Sequence, residues 1–399
     1  MGPHSLLVMR ILHTSDWHLG RSFKSVGMQA VHERALDHLV EVVLSESVAA
    51  VLVSGDVYDR AIPSPDAVAL LSDTLERLVA TGAQVVLSSG NHDSATRLGF
   101  AAGLLRNAGV HLVTSLSQIG QLIPIGEAMI APIPYLDPLL CADALGSAHR
   151  THAGVLAAAM DRIRAAHTGA GPLVVMAHAV VTGGEGCESE RDISTGGLSA
   201  VPAASFTGSA YAALGHLHGA QRIGSRVNYS GSPVAMSFGE ARHTKSWSLV
   251  EVSAAGAGAV ERIPVPVLRP LARLRGTIED LLSNRRYAAN EDSWCSVVLT
   301  DAIRPPGAME RLRARFPHTI ELSFDPVGVS VLPVSYAARV QGRDDLDICC
   351  DFVTHVRGGA APDAGERDLL GLAVDAARTA RRLADDEGVA GPARREESA

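Results

Sequence analysis

The sequence predicts an α/β fold, and three observations carry that reading. Apolar runs of strand length recur at residues 10–14, 49–54, 84–88, 173–177 and 211–214. Between the first three lie longer stretches whose apolar residues return every three to four positions, the period of a helix. Each run then breaks off abruptly into Asp, Asn or His. Alternating strand and helix patterns build βαβ units, and such sheets place their chemistry just past the carboxyl ends of the strands.

In chain order, residues 10–14 form the first strand and end in Ser15-Asp16-Trp17-His18-Leu19-Gly20. Residues 29–47 form a helix, with Val31, Ala35, Leu36, Leu39, Val40, Val43 and Leu44 on one face and His32 and His38 read as solvated surface. The second strand runs into Gly55-Asp56-Val57-Tyr58-Asp59. Pro63 and Pro65 open a helix to about Ala80, because the first turn has no use for the missing N–H. The third strand delivers Ser89-Gly90-Asn91-His92-Asp93, where Gly90 frees the backbone. A helix at 153–167 precedes a strand ending on His178, and the polar, Gly-rich stretch 182–197 reads as a long loop. Tyr211 to Leu214 stops at Gly215-His216-Leu217-His218, and short strands follow at 226–229 and 246–252. Ala254 to Ala259 reads as a turn or linker.

Pro264, Pro266 and Pro270 mark a boundary. Beyond it, residues 294–300, 306–315 and 319–324 predict a small βαβ module. The tail predicts two amphipathic helices, 344–356 and 366–385, parted by Gly358-Gly359 and Pro362. Residues 388–399 read as disordered.

Composition narrows the function classes. A chain of 399 residues, 47% hydrophobic and 20% charged, buries a substantial core and suggests two or three domains. No apolar run approaches the ~20 residues of a membrane span, and no secretory signal is visible. Met9 is a candidate start, with the preceding residues contributing nothing to the fold. Five scattered cysteines without Cys-x-x-Cys spacing argue for a reducing cytoplasm and against a thiolate zinc site. A net charge of −8 gives no global pull toward nucleic acid, so a local basic groove or a basic partner must supply any such field. Lys24 and Lys245 are the only lysines, and neither stands in a phosphate-binding Gly-x-x-x-x-Gly-Lys loop. Any coupling to ATP has to come from another chain.

Five strand ends therefore present Asp16 with His18, Asp56, Asn91 with His92, His178, and His216 with His218. Carboxylates, imidazoles and one amide on a single sheet edge form a mixed nitrogen and oxygen donor set. It exceeds what one ion takes and suits two, with a carboxylate bridging. In this order, the Asp-x-His, Gly-Asp, Gly-Asn-His-Asp, strand-end His and Gly-His-Leu-His motifs resemble the calcineurin-like metallophosphoesterases. Gly55 to Arg60, Ser189-Glu190-Arg191 with Gly196-Gly197, and Tyr229 to Pro233 with Phe238 and Glu240 narrow the resemblance, as does Arg269-Pro270-Leu271. The narrower likeness is to the nuclease subunits of bacterial complexes that act on DNA ends and hairpins. It spans residues 9 to about 383.

The resemblance implies a four-layer α/β sandwich with a small α/β capping domain and a C-terminal helical tail. The corresponding divisions are 9–263 for the nuclease domain, 264–335 for the cap that selects DNA ends, 340–387 for two helices gripping a coiled-coil ATPase, and 388–399 for the tail. It further implies two divalent ions, preferentially manganese: one on Asp16, His18, Asp56 and His218, the other on Asp56, Asn91, His178 and His216. His92 then assists the leaving oxygen, with Asp93 orienting it, while Arg21, Lys24, Arg60 and Arg97 are candidates for the DNA backbone. The implied activity is double-strand 3′–5′ exonuclease and single-strand or hairpin endonuclease, in a homodimer built on the first two helices. Two other readings keep the same motifs: hydrolysis of a cyclic nucleotide or phosphomonoester, and a scaffold that has lost its metals. Bound metal and manganese-dependent cleavage separate all three.

Overall fold

The strands form where uninterrupted apolar residues can be covered on both faces, and helices form where the apolar period leaves one stripe to bury. In the computed structural model, which describes residues 8–24, 26–169, 171–193, 200–327 and 343–386, these are β1 (Met9–Thr14), α1 (Gln29–Ser45), β2 (Ala50–Ser54), α2 (Pro65–Ala80) and β3 (Gln84–Ser88). Ser64 caps α2, its hydroxyl accepting from the Ala67 N–H two residues after Pro65. There follow β4 (Val110–Val113), β5 (Ile123–Ile125), β6 (Ala128–Pro132), α3 (His152–Ala166), β7 (Leu173–His178), β8 (Tyr211–Gly215), β9 (Gln221–Ile223), β10 (Val227–Tyr229), β11 (Ser246–Ser253) and β12 (Gly256–Pro264).

Two six-stranded sheets result, ordered β12-β11-β1-β2-β3-β4 and β9-β10-β8-β7-β6-β5. The central strands β1 to β4, and β6, β7, β8 and β10, run parallel. Ile11, Ala50, Leu52, Val86 and Val250 of the first sheet share one core with Ile130, Val174, Met176, Tyr211 and Ala213 of the second. On the far face of the second sheet, Val155, Leu156, Ala159, Met160 and Ile163 of α3 cover Val175, Ala177, Ala212 and Leu214. Helices α1 and α2 pack on each other, and α2 on β3. The expected four layers are therefore helix, sheet, sheet, helix.

Two expectations within this unit need correction. Of the stretch 254–259, read as a turn or linker, only 254–255 is a turn: residues 256–264 form β12, which pairs antiparallel with β11, Gly256 taking φ +114°. The Ala/Gly composition concealed it, since small residues carry little alternation. His32 is not on the surface but buried, and His38 accepts a hydrogen bond from the Trp247 indole at 3.1 Å. The short strands β4, β5 and β6 escaped the sequence reading because three to five residues hold too little pattern.

The chain divides into two compact units, 1–272 and 273–399. β13 (Leu271–Gly276), which starts two residues before that division, β14 (Trp294–Leu299), α4 (Ala308–Arg315) and β15 (Thr319–Phe324) make a three-stranded sheet whose β14–α4–β15 segment is the expected parallel βαβ module. Beyond it, α5 (Asp345–Val356) and α6 (Ala364–Asp386) pair with each other. Ion pairs Arg367–Asp347 and Arg378–Asp344, both at 2.8 Å, and Arg357–Glu366 at 2.7 Å join them. Gly196-Gly197, the last residues of the expected cap, and 388–399 lie outside the described residues.

Candidate metal centre

The parallel register brings the carboxyl ends of β1, β2 and β3 to one edge, where β7 and β8 of the second sheet also end. The loops beyond β1 and β2 continue the ladder: Asp16 N–H donates to Gly55 O at 3.0 Å, His18 N–H to Asp56 O at 2.9 Å and Leu19 N–H to Val57 O at 2.9 Å. Four side chains of this edge sit on left-handed backbone, Asp16 (φ 54°), His18 (47°), Asp56 (50°) and His216 (98°). Such backbone costs roughly 1–3 kcal/mol per residue and persists where the surroundings over-determine it. It turns each side chain inward. Gly90 is required by close approach instead, because a Cβ there would stand 2.1 Å from Asp56 Oδ1.

All seven expected donors meet. His18 Nε2 lies 3.2 Å from His218 Nε2. On the other side, His178 Nε2 lies 2.8 Å from Asn91 Oδ1 and 3.3 Å from His216 Nδ1, itself 3.2 Å from the same amide oxygen. Asp56 Oδ2 stands between the groups, 3.6 Å from His18 Nε2 and 3.3 Å from His178 Nε2. Asp16 accepts the His216 N–H at 3.0 Å and the Ser15 hydroxyl. Only Asn91 among the seven is more than marginally exposed.

The proton accounting in this cluster calls for cations. His178 Nδ1 donates to the Ser54 carbonyl at 3.0 Å, and its Nε2 faces the oxygens Asn91 Oδ1 and Asp56 Oδ2 together with His216 Nδ1. His18 Nδ1 stands 3.5 Å from Asp59 Oδ1 and His218 Nδ1 2.8 Å from Ser189 Oγ, and the two Nε2 atoms face each other at 3.2 Å. Burial lowers the pKa of His18, takes His216 down to about 3 and His218 to about 4, and neutral imidazole is the ligating form. Burial and the Asp56 charge push Asp16 up to about 8 despite His178, while Asp56 and Asp16 raise His178 to about 9 against burial. Asp56 itself is held well below the ordinary carboxylate range, His178 and His18 outweighing its burial. Buried oxygen and nitrogen donors, short of positive charge, fit two divalent ions.

The remaining expected residues divide. His92 lies beside the cluster, edge-on to His18 with ring centroids 4.7 Å apart. Its partner is not Asp93, as expected, but the Asp59 carbonyl, 2.8 Å from Nδ1. Asp93 points away and accepts the Gly90, Val57 and Tyr58 N–H groups at 2.9, 3.1 and 2.9 Å, so it clamps the β2 loop to the β3 loop. Arg21 is a strut: its guanidinium, 17% exposed, binds Asp59 at 3.1 Å and the Ser189 carbonyl at 3.2 Å. Arg60 is 79% exposed, Arg97 donates to the Ala61 carbonyl at 3.4 Å, and Lys24 is exposed. The sequence reading also assigned no role to Asp59, Ser189, Glu190 or Lys245. Only the scarcity of lysine could have drawn attention to the last.

Buried carboxylates and imidazoles gathered at one sheet edge fit the dimetal site of a phosphoesterase. The chain belongs to the calcineurin-like phosphoesterases, whose family model matches residues 9–219, and it groups there with the SbcD proteins. The SbcD component of the SbcCD nuclease from Escherichia coli K12 is 33% identical over 312 residues, covering 73% of this chain and 78% of that protein. Its Rhodobacter capsulatus counterpart is 38% identical over 291 residues, covering 67% and 71%. Residues 267–356 match the type 5 capsule protein repressor C-terminal domain. Solved structures are more distant: a dimetal phosphatase from Danio rerio aligns with TM-score 0.39 and 12% identity, over 65% of this chain and 99% of that one.

Proposed function

We propose that the chain is the manganese-dependent nuclease subunit of an ATP-driven complex that processes DNA ends and hairpins in repair, recombination and replication. One observation carries this: Asp56 Oδ2 lies within 3.6 Å of an imidazole nitrogen on each side of the cluster. Asp56 would then bridge the two ions, with Asp16, His18 and His218 holding one and Asn91, His178 and His216 the other. Two bound divalent ions supply Lewis acidity at the phosphodiester and acidify the attacking water. The oxygen-rich, imidazole-containing donor set suits manganese.

The protein's own groups do the rest. His92, whose Nδ1–H donates to the Asp59 carbonyl, presents Nε2 to the leaving oxygen and, when doubly protonated, can give it the Nε2 proton. Asp93 keeps the Asp56 and Asn91 loops in register, and the exposed Lys24 and Arg60, with Arg97, remain the candidates for the DNA backbone. The activity proposed is 3′–5′ exonuclease on duplexes and endonuclease on single strands and hairpins. The 264–335 module acts as the cap that selects ends. The α5–α6 pair, with Val356, Leu369 and Leu372 all more than 60% exposed, grips the coiled coil of the ATPase. Val68, Leu71 and Leu75 of α2 line one apolar depression with Phe100 and Leu105, which supports a homodimer built on this helix. The enzyme works in the cytoplasm.

Metal analysis paired with cleavage tests the proposal. Two manganese ions per chain and manganese-dependent cleavage of a duplex end are expected. Hydrolysis of bis-p-nitrophenyl phosphate with DNA ends and hairpins left intact would refute the substrate. A chain that binds no ion would refute the centre.

A further inference from the structure

Resting on the metal centre just proposed, we infer that Lys245, Glu240 and Ser189 form a buried relay that fixes the proton of His218 on Nδ1, making them positioning residues for the ion that His218 shares with His18. The three lie in separate parts of the chain: Ser189 in the loop after β7, Glu240 in a short turn and Lys245 just before β11. Lys245 Nζ has three acceptors, Glu240 Oε2, the His218 carbonyl at 2.9 Å and Ser232 Oγ at 2.9 Å. An ammonium carries three hydrogens, so all are committed.

The donor order then has one solution. Glu240 Oε1 accepts the Met236 N–H at 3.1 Å while Oε2 meets the ammonium, so the carboxylate is ionised and can only accept. Ser189 Oγ, 2.6 Å from Glu240 Oε1, must donate to it. With its one hydrogen on Glu240 the serine oxygen is left to accept, from Cys187 Sγ at 3.2 Å and from His218 Nδ1 at 2.8 Å. His218 therefore carries its hydrogen on Nδ1 and turns the Nε2 lone pair toward His18. A separate clamp holds the backbone, Glu190 Oε1 accepting the His218 N–H at 2.7 Å.

The choice of cation supports the relay. The sequence has 35 lysines and arginines, of which only Lys24 and Lys245 are lysines, and Lys245 is 6% exposed beside Glu240 at 1%. A planar guanidinium could not serve a carboxylate, a hydroxyl and a carbonyl disposed around one point, whereas a tetrahedral ammonium does. No comparable relay reaches His178 or His216 among the described residues: His178 Nδ1 is fixed by the Ser54 carbonyl alone.

Manganese titration calorimetry of the full chain tests the inference. Partners that orient a ligating imidazole are worth 10–100-fold in metal affinity. Ser189→Ala removes the link with little change in volume; one of the two ions should bind about 10–100-fold more weakly, the other unchanged, and Ser189→Thr should restore the first. Glu240→Gln should weaken the same ion. A purely structural role would lower the melting temperature and leave both affinities alone. Two ions bound by Ser189→Ala with wild-type affinities would overturn the relay while leaving the centre standing. Wild-type protein that binds no manganese would overturn both.

Discussion

At the residue scale, the Gly90-Asn91-His92-Asp93 turn divides three tasks among three neighbours. Asn91 turns its amide oxygen to His178 and His216, His92 engages the Asp59 carbonyl beside His18, and Asp93 staples two loops through backbone N–H groups. Substitutions should therefore separate. His92→Gln should retain both ions by metal analysis and lose ~10²–10⁴-fold in turnover, the usual worth of a proton-transfer group. Asn91→Ala should instead weaken one ion, and added manganese should recover part of its activity. If His92→Gln empties the site, its place outside the ligand set is wrong. The identities of these residues were legible in the sequence. Which of them touches which was not: Asp93 adjoins His92 in the chain, and its carboxylate nonetheless reaches across to residues 57 and 58.

At the element scale, β1 occupies the middle of its sheet, between β11 and β2, and alternates Ile11 and His13 toward the opposing sheet. A histidine at that depth is a liability that the strand manages with one hydrogen bond, Nδ1 to the Tyr211 hydroxyl at 3.0 Å. Burial, with Arg262 nearby, takes its pKa from 6.5 down to about 3. Because the folded value lies below the unfolded one, protonation favours the unfolded chain. The contribution is intact above pH 6.5 and is lost as pH falls toward 3. At pH 5 the loss from this residue is about 2 kcal/mol, since the unfolded imidazole is already protonated there and the folded one is not. Urea unfolding at pH 7 and pH 5 should show a loss that includes this contribution beside those of the other buried histidines, and His13→Met should reduce it by about 2 kcal/mol. An unchanged difference in the variant would mean that His13 is not the titrating group. Elements themselves were read well where they were long and periodic, as with α1, α2 and α3. They were missed where Gly and Ala flattened the pattern, as in β12, or where Arg alternated with small apolar residues, as in β13.

At the scale of the whole molecule, the catalytic edge lies within the first compact unit, and the paired helices α5 and α6 belong to the second. None of the seven donors comes from beyond His218. Removal of residues 344–399 should therefore leave manganese-dependent cleavage intact and abolish co-purification with the ATPase partner. Persistence of the complex would show that the partner docks elsewhere. Among the described residues no helix is long and apolar enough to cross a membrane.

The sequence by itself determined the strand ends and the donors they carry, because an apolar run must be buried and the polar group that ends it must emerge at the sheet edge. It determined the α/β class for the same reason. Only the tertiary structure decided how the donors combine. His18 meets His218 across 200 residues of chain, and Ser189 meets Glu240 across 51. Such contacts depend on strand order and on left-handed backbone at the strand ends, which local pattern does not encode. Tertiary packing also decided that His32 and His13 are buried, since a helical or strand period identifies a face but not what covers it. The proton on His218 is settled furthest from the sequence of all, by a lysine 27 residues away that shares no motif with it.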